Sequence, residues 1–192
     1  MHSWPGRDVA QPGSALAWGA RGREFESRHP DHFYSHLRHH IIMTAQWKPN
    51  VTVAAIIEQD GKFLMVEEEC ADGLRFNQPA GHLENMETLL QAAVREVQEE
   101  TAYRFQPTAL LGTYLWKHPD KDLTYLRFAF IGNVTDHDPE QPLDDGITRA
   151  IWMTADEIRA SQQWHRSPQV LLCLEHYLAG QRFPLNVMAH LS

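Results

Sequence analysis

No run of apolar residues in this 192-residue chain approaches the roughly 18 to 20 that a membrane-spanning helix needs. Cysteine is scarce. Only Cys70 and Cys173 occur, far apart and at no zinc or redox spacing, so both are expected as reduced thiols. The start of the chain lacks a charged segment followed by an apolar one, so no secretory signal and a cytoplasmic location are expected. Basic charge is also short. Residues 1–42 hold five arginines against four acids, whereas residues 43–192 hold 12 Lys plus Arg against 21 Asp plus Glu. An acidic domain is a poor electrostatic partner for nucleic acid or an anionic membrane, and neither is expected. If such a chain handles phosphates, a divalent cation is the natural means of neutralising the repulsion. Internal repeats are absent, and no long exposed apolar stripe is evident, so a monomer is expected. What is there, 43% hydrophobic and 22% charged residues, suits one globular domain with a proper core.

The first 42 residues are rich in Gly, Pro, Arg, Ser and His and show no sustained period of 2 or 3.6. Six of the twelve histidines lie there, at spacings too irregular for a metal site. The peptide "DVAQPGSALAWGARGREFESRHPDH" resembles the product of a bacterial transfer-RNA gene translated in error. On that resemblance the biological start is Met43, residues 1–42 are a disordered extension, and 43–192 form the working domain.

From about Asn50 the pattern becomes ordered. "VTVAAIIEQDGKFLMVEEE" reads as two strands around an Asp60-Gly61 hairpin turn. "LRFNQPAGHLENME" reads as a loop with a short extended piece, broken by Pro79 and Gly81. Residues 88–102 read as helix. "ALLGTYLW" and "LTYLRFAFIGNV" are strands flanking the turn "KHPDKD", and "ITRAIWMT" is another, followed by a short helix capped by Thr154. A last helix spans about Pro168 to Ala179, with Ser167 as its cap and Gly180 as its stop. Its stripe of Val170, Leu171, Leu174, Tyr177 and Leu178 is expected to face the core. The class is α/β, a mixed sheet with helices packed on it.

The helix at 88–102 carries an unusual load of like charge. Five glutamates lie between Glu84 and Glu100. At roughly 100° per residue, Leu90, Ala93, Val94, Val97 and Thr101 form the sheet-facing side, and Glu96, Glu99 and Glu100 gather on a flank. A solvated face would explain them blandly, since Arg95 can reach Glu99 and Glu100 can reach Arg104 at i,i+4. A hard dication is the sharper explanation. Magnesium takes oxygen ligands, a few of them carboxylates, and three on one flank beside a flexible glycine loop supply them. Glu87, at the helix start, is placed to pair with Arg95 and hold the ligand side in position.

Gly81, five residues, Glu87, seven residues, then Arg95-Glu96-Val97-Gln98-Glu99-Glu100 resembles the signature of the Nudix hydrolases. At the last two fixed places the family has Gly and an aliphatic residue, where this chain has Ala102 and Tyr103. Alanine at a helix end that needs a left-handed residue costs about 1 kcal/mol, which touches stability rather than chemistry. "NVTVAAIIEQDGKFLMVEEE", "FNQPAGHLEN" and "SPQVLLCLEHYLAGQRFPL" extend the likeness toward the NudJ-type phosphatases of the family, over nearly all of residues 48–187.

The resemblance implies the Nudix α/β/α sandwich and water attack on a phosphoric anhydride. It also implies Mg2+, with Mn2+ as a substitute, at Glu96, Glu99 and Glu100, and the Gly81 carbonyl is a weaker ligand candidate. Glu99 is the expected base, and Glu87 and Arg95 orient helix and loop. Asp144 or Asp145 could add a ligand, although "PLDDG" is a plain turn sequence. The implied substrates are nucleoside tri- and diphosphates, with orthophosphate release, and the hydroxymethylpyrimidine pyrophosphate of thiamine synthesis. Dinucleoside polyphosphates or ADP-sugars are an alternative, and a non-catalytic nucleotide-binding module is a second. His82 and Asn77 could touch substrate, Trp116, Tyr114 and Tyr125 could stack on a base, and Arg75 and Lys117 could meet phosphate. For the two loop residues and the three aromatics a structural role is the simpler reading, and nothing further in the chain supports Arg75 or Lys117.

Overall fold

The computed structural model describes residues 46–191. The expectation for residues 1–42 falls outside them. Seven strands are present: β1 (Asn50–Gln59), β2 (Lys62–Cys70), β3 (Gly73–Asn77), β4 (Ala80–His82), β5 (Arg104–Lys117), β6 (Thr124–Thr135) and β7 (Ile147–Thr154). Three α-helices accompany them: α1 (Leu89–Thr101), α2 (Ala155–Ala160) and α3 (Gln169–Leu178). The sheet path is β3-β2-β1-β6-β5, with β4 on β1 and β7 on β2. β1 and β6 run parallel and the other pairs antiparallel, so the sheet is mixed as expected.

The continuous apolar run in β1 follows from burial on both faces. Val53, Ala55 and Ile57 point to a core shared with Ala92, Ala93 and Val97 of α1. Ala54 and Ile56 point to the opposite core, shared with Ile158 of α2 and Val170, Cys173 and Leu174 of α3. Helices therefore cover both sides, which is the α/β/α sandwich. Full burial of a Val, Leu, Ile or Phe side chain stabilises by about 1.5–3 kcal/mol, so Ile57, Leu64, Leu111 and Phe130 anchor the two layers.

β1 forks the sheet. It pairs with β2 only at Glu58↔Phe63 and Gln59↔Lys62, then turns its other end to β4 through Thr52↔His82, Val53↔Gly81 and Ala54↔Ala80. The hairpin at the first end is the expected one, with Asp60 and Gly61 at φ 53° and 76°, a type I′ pattern. The stretch expected as a loop is more ordered than predicted. β3 and β4 bracket Gln78-Pro79, because Pro79 breaks the run without removing the ladder partners on either side.

The last helix also departs from expectation. Ser167 does not cap it through its side chain. The Val170 N–H already donates to the Ser167 carbonyl (3.2 Å), and the hydroxyl has no partner. Val170, Cys173, Leu174 and Tyr177 pack on the core side, whereas Leu178, in the last turn, is exposed. Thr154 caps α2 as expected, in a capping box with Glu157.

Candidate active site

The site is built around α1. Its start is fixed by a capping box, in which Thr88 Oγ1 accepts from the Gln91 N–H (3.2 Å) and Gln91 Oε1 from the Thr88 N–H (2.8 Å). It stops at Ala102, whose φ of 57° and ψ of 17° put an alanine in the left-handed region. The last-turn carbonyls are not left bare. Gln98 O accepts from Gln141 Nε2 (2.6 Å), Glu99 O from the Asp144 N–H (2.9 Å) and Ala102 O from the Asp138 N–H (3.0 Å). These bonds fasten the loop before β7 to the end of α1 and carry Asp144 toward the glutamates.

The buried arc of α1 is rotated from the expected one. Ala92, Ala93, Glu96, Val97, Glu100 and Thr101 are buried, with Leu90 and Val94 on the rim. Glu96 and Glu100, each 7% exposed, therefore sit near the middle of the packed face and not on its flank. The reason is β4. Gly81 offers no side chain under Glu96, and a Cβ there would overlap the Glu96 carboxyl carbon and both its oxygens. The Ala80 N–H donates to Glu100 Oε2 at 2.8 Å, which keeps Glu100 inside and away from Arg104, its expected partner.

Arg95 organises the remaining acids. Its Nη2 and Nε donate to the two oxygens of Glu87 at 2.7 and 3.1 Å, and Nη1 to Glu96 at 2.8 Å and Glu99 at 3.0 Å. Nη2 also donates to the His82 carbonyl at 3.0 Å, tying helix to β4. The expected Glu87–Arg95 and Arg95–Glu99 pairs are thus both formed. Among the described residues, no three acidic, histidine or cysteine side chains converge into a ready-made metal cage. Glu96 and Glu99 lean on the guanidinium, and Glu99 is 44% exposed.

The electrostatics are those of crowded acid. Burial pushes the Glu100 carboxyl well above its ordinary range, and Glu96, Glu68 and Asp144 push it further. Burial raises Glu96 as well, against Arg95 and with help from Glu99 and Asp144. Hydrogen bonding from Arg95 holds Glu87 below its ordinary range, and Glu87 in turn keeps Arg95 firmly cationic. A hard, all-oxygen donor set of buried like charges beside a glycine cradle fits a divalent cation.

Other predicted residues divide by position. Asn77, His82, Trp116 and Tyr125 all line a cavity of about 220 Å³ that also includes Gly81. Tyr114 is a core residue whose hydroxyl meets His176 Nδ1 at 3.0 Å. Arg75 is paired with Asp72 (2.6 Å) away from the glutamates. Lys117 ends β5, exposed, and does not line that cavity. Asp144 and Asp145 are both exposed; Asp144 reaches the glutamates electrostatically, and Asp145 gives its N–H to Asp144 Oδ1. Glu68 and Arg127, not expected at a site, line the same cavity. The signal for Arg127 was a lone charge inside the apolar strand "YLRFAFIG", and Glu68 had none.

Residues 47–172 match the NUDIX domain. The chain is 42% identical over 142 residues to "Phosphatase NudJ" of Escherichia coli (strain K12), covering 74% of this chain and 92% of that one. Among solved structures, a NUDIX hydrolase from Nitrosomonas europaea superposes with a TM-score of 0.73 at 52% identity, over 75% of this chain and 98% of its own. The E. coli ORF135 protein follows at a TM-score of 0.54 and 25% identity, over 69% and 90%. The chain therefore belongs to the Nudix family, hydrolases of phosphoric anhydrides that generally use a divalent metal ion, usually Mg2+.

Proposed function

We propose that the chain is a magnesium-dependent phosphatase of nucleoside tri- and diphosphates, and of hydroxymethylpyrimidine pyrophosphate, acting as a monomer and releasing orthophosphate. The observation that carries this reading is the placement of Glu96 and Glu100. Two carboxylates are buried, Glu96 against Gly81 and Glu100 on the Ala80 N–H, with Arg95 and Glu87 clamping the helix that bears them. Arg95 answers Glu96 and Glu99 but not Glu100, whose carboxyl has only the Ala80 N–H, so a cation would relieve the remaining crowding.

Glu96, Glu99 and Glu100 would hold the ion, with Asp144 as an added oxygen donor. The bound ion supplies charge neutralisation at the phosphoryl oxygens. The remaining work belongs to the chain. Glu99, the most exposed of the three, takes the proton of the attacking water at a carboxylate oxygen. The water oxygen bonds to the terminal phosphorus, which becomes orthophosphate, as the anhydride P–O bond breaks and its electron pair goes to the phosphate oxygen of the departing nucleotide or pyrimidine monophosphate. Arg95 stays charged and positions Glu99 and Glu96. Glu87 and the His82 carbonyl keep Arg95 in place. Gly81 leaves the room that the acids and a phosphate need.

A panel of nucleoside di- and triphosphates, a dinucleoside polyphosphate, an ADP-sugar and the pyrimidine pyrophosphate, scored for phosphate, pyrophosphate and nucleoside monophosphate release with and without a chelator, tests the reading. The expected result is cation-dependent orthophosphate. Pyrophosphate or nucleoside monophosphate from a dinucleotide would move the substrate class. Binding without turnover would make the chain a nucleotide-binding module.

A further inference from the structure

Arg127 is a charge inside an apolar strand. It lies in β6 opposite Thr52 of β1, 6% exposed, and is followed by Phe128, Ala129 and Phe130. Among the described residues its guanidinium bonds only to neutral amides. Nη1 donates to Gln78 Oε1 at 3.3 Å and Nη2 to Asn77 Oδ1 at 3.4 Å, and Nε has no partner. A buried charge held by two long bonds to amides costs stability that an apolar side chain would not. Its use lies elsewhere, and the two amides show where.

Asn77 ends β3, and Gln78-Pro79 links it to β4. Both amide side chains are buried. Gln78 gives its Nε2 to the Val170 carbonyl of α3 at 2.8 Å, which turns its Oε1 toward Arg127. Two residues on, the Ala80 N–H donates to Glu100 Oε2 at 2.8 Å, and Gly81 lies under the Glu96 carboxyl. There is little slack between the two ends. Proline fixes its own φ at about −65° and confines the residue before it to extended backbone. The Pro79 carbonyl accepts from the Ala55 N–H at 2.9 Å and acts as a pivot. A displacement of Gln78 on one side of that pivot is felt at Ala80 on the other. Without Arg127 two buried amide oxygens lose their donor, and the link turns to find another.

We propose that Arg127 is a positioning residue: through Gln78 and Asn77 it sets the β3–β4 link, and with it the Ala80 N–H and Gly81 that seat Glu100 and Glu96. It rests on the phosphohydrolase reading only for its effect on turnover. Arg127→Met, Gln78→Met and the double variant of the full chain test it. In metal-free protein, hydrogen exchange at the Ala80 amide should quicken about tenfold in each, while the β5–β6 ladder keeps its rates. Orthophosphate release should fall about tenfold in kcat with KM for the nucleotide unchanged, since an ångström at the reacting groups can cost about a hundredfold. The double variant should lose no more than Arg127→Met alone, because both changes cut one chain of contacts. Arg127→Lys, which keeps a donor for the amides, should recover most of each effect. An unmoved Ala80 amide overturns the proposal, and so does exchange that quickens across the whole sheet. Losses that multiply in the double variant overturn it as well. A raised KM at wild-type kcat does the same, by making Arg127 a substrate contact. Gln78→Met leaves the charge in place and gives every readout if Arg127→Met does not fold. Exchange is read without turnover, so a wild type that releases no phosphate fails as an enzyme while the link is still tested.

Discussion

Gly81→Ala is the substitution whose effect the structure specifies best. A Cβ at residue 81 would fall on the carboxyl group of Glu96, so Glu96 or β4 must move. Glu96 is held by a 2.8 Å ion pair to Arg95 in a largely buried setting, and a charge-assisted hydrogen bond contributes about 1.5–3 kcal/mol. Overpacking adds about 1–3 kcal/mol if the carboxylate stays. A loss of about 3 kcal/mol follows, or roughly 6–12 °C in Tm for a domain of this size. Thermal unfolding followed by circular dichroism reads it. Placing the same change in a Glu96→Ala background removes the colliding group, so the cost should fall below about 1 kcal/mol there. A Gly81→Ala protein with wild-type Tm, or an equal cost in both backgrounds, would refute the packing of Glu96 on this glycine.

Arg95→Lys keeps the charge but cannot span both Glu87 oxygens, Glu96, Glu99 and the His82 carbonyl at once. Steady-state kinetics should show kcat down at least about tenfold with a stability loss of ~2 kcal/mol, and wild-type kcat would contradict the clamp. Glu100→Gln tests the crowded charge through pH. The folded carboxyl titrates above the ordinary glutamate value of 4.5, so the native state binds more protons there than the unfolded chain. Stability of the chelator-treated protein should therefore fall as pH rises upward from about 4.5, and the variant should flatten that slope. An unchanged slope in denaturant titrations would show that Glu100 is not strained. Ala102→Gly should raise Tm by roughly 1–4 °C, because glycine adopts the left-handed φ of 57° without penalty; a lowered Tm would mean the buried methyl outweighs it.

Much of this molecule is readable from residue order, and the exceptions have physical causes. Strands β1, β2, β5, β6 and β7 and helix α1 follow from apolar runs, turn residues and capping chemistry, all of which are local. The fork that β1 makes between β2 and β4 is not local, and Pro79 and Gly81 disguise β3 and β4 as loop. The spacing of Glu96, Glu99 and Glu100 is visible in the chain, but the rotation that buries two of them depends on a glycine of another strand. Arg127 and Ser167 become neighbours only in the folded sheet. The Ser167 hydroxyl looked like a helix cap because the sequence cannot show that a backbone carbonyl has taken the amide first.

The central claim is that Glu99 and Glu100 serve cation-dependent hydrolysis. Orthophosphate release from nucleoside triphosphate by Glu99→Gln/Glu100→Gln, with and without Mg2+, tests it most directly. Turnover should fall by about a hundredfold or more with the domain still folded by circular dichroism, and equally in wild type on chelation. Wild-type release by the double variant, or release indifferent to chelator, would contradict it.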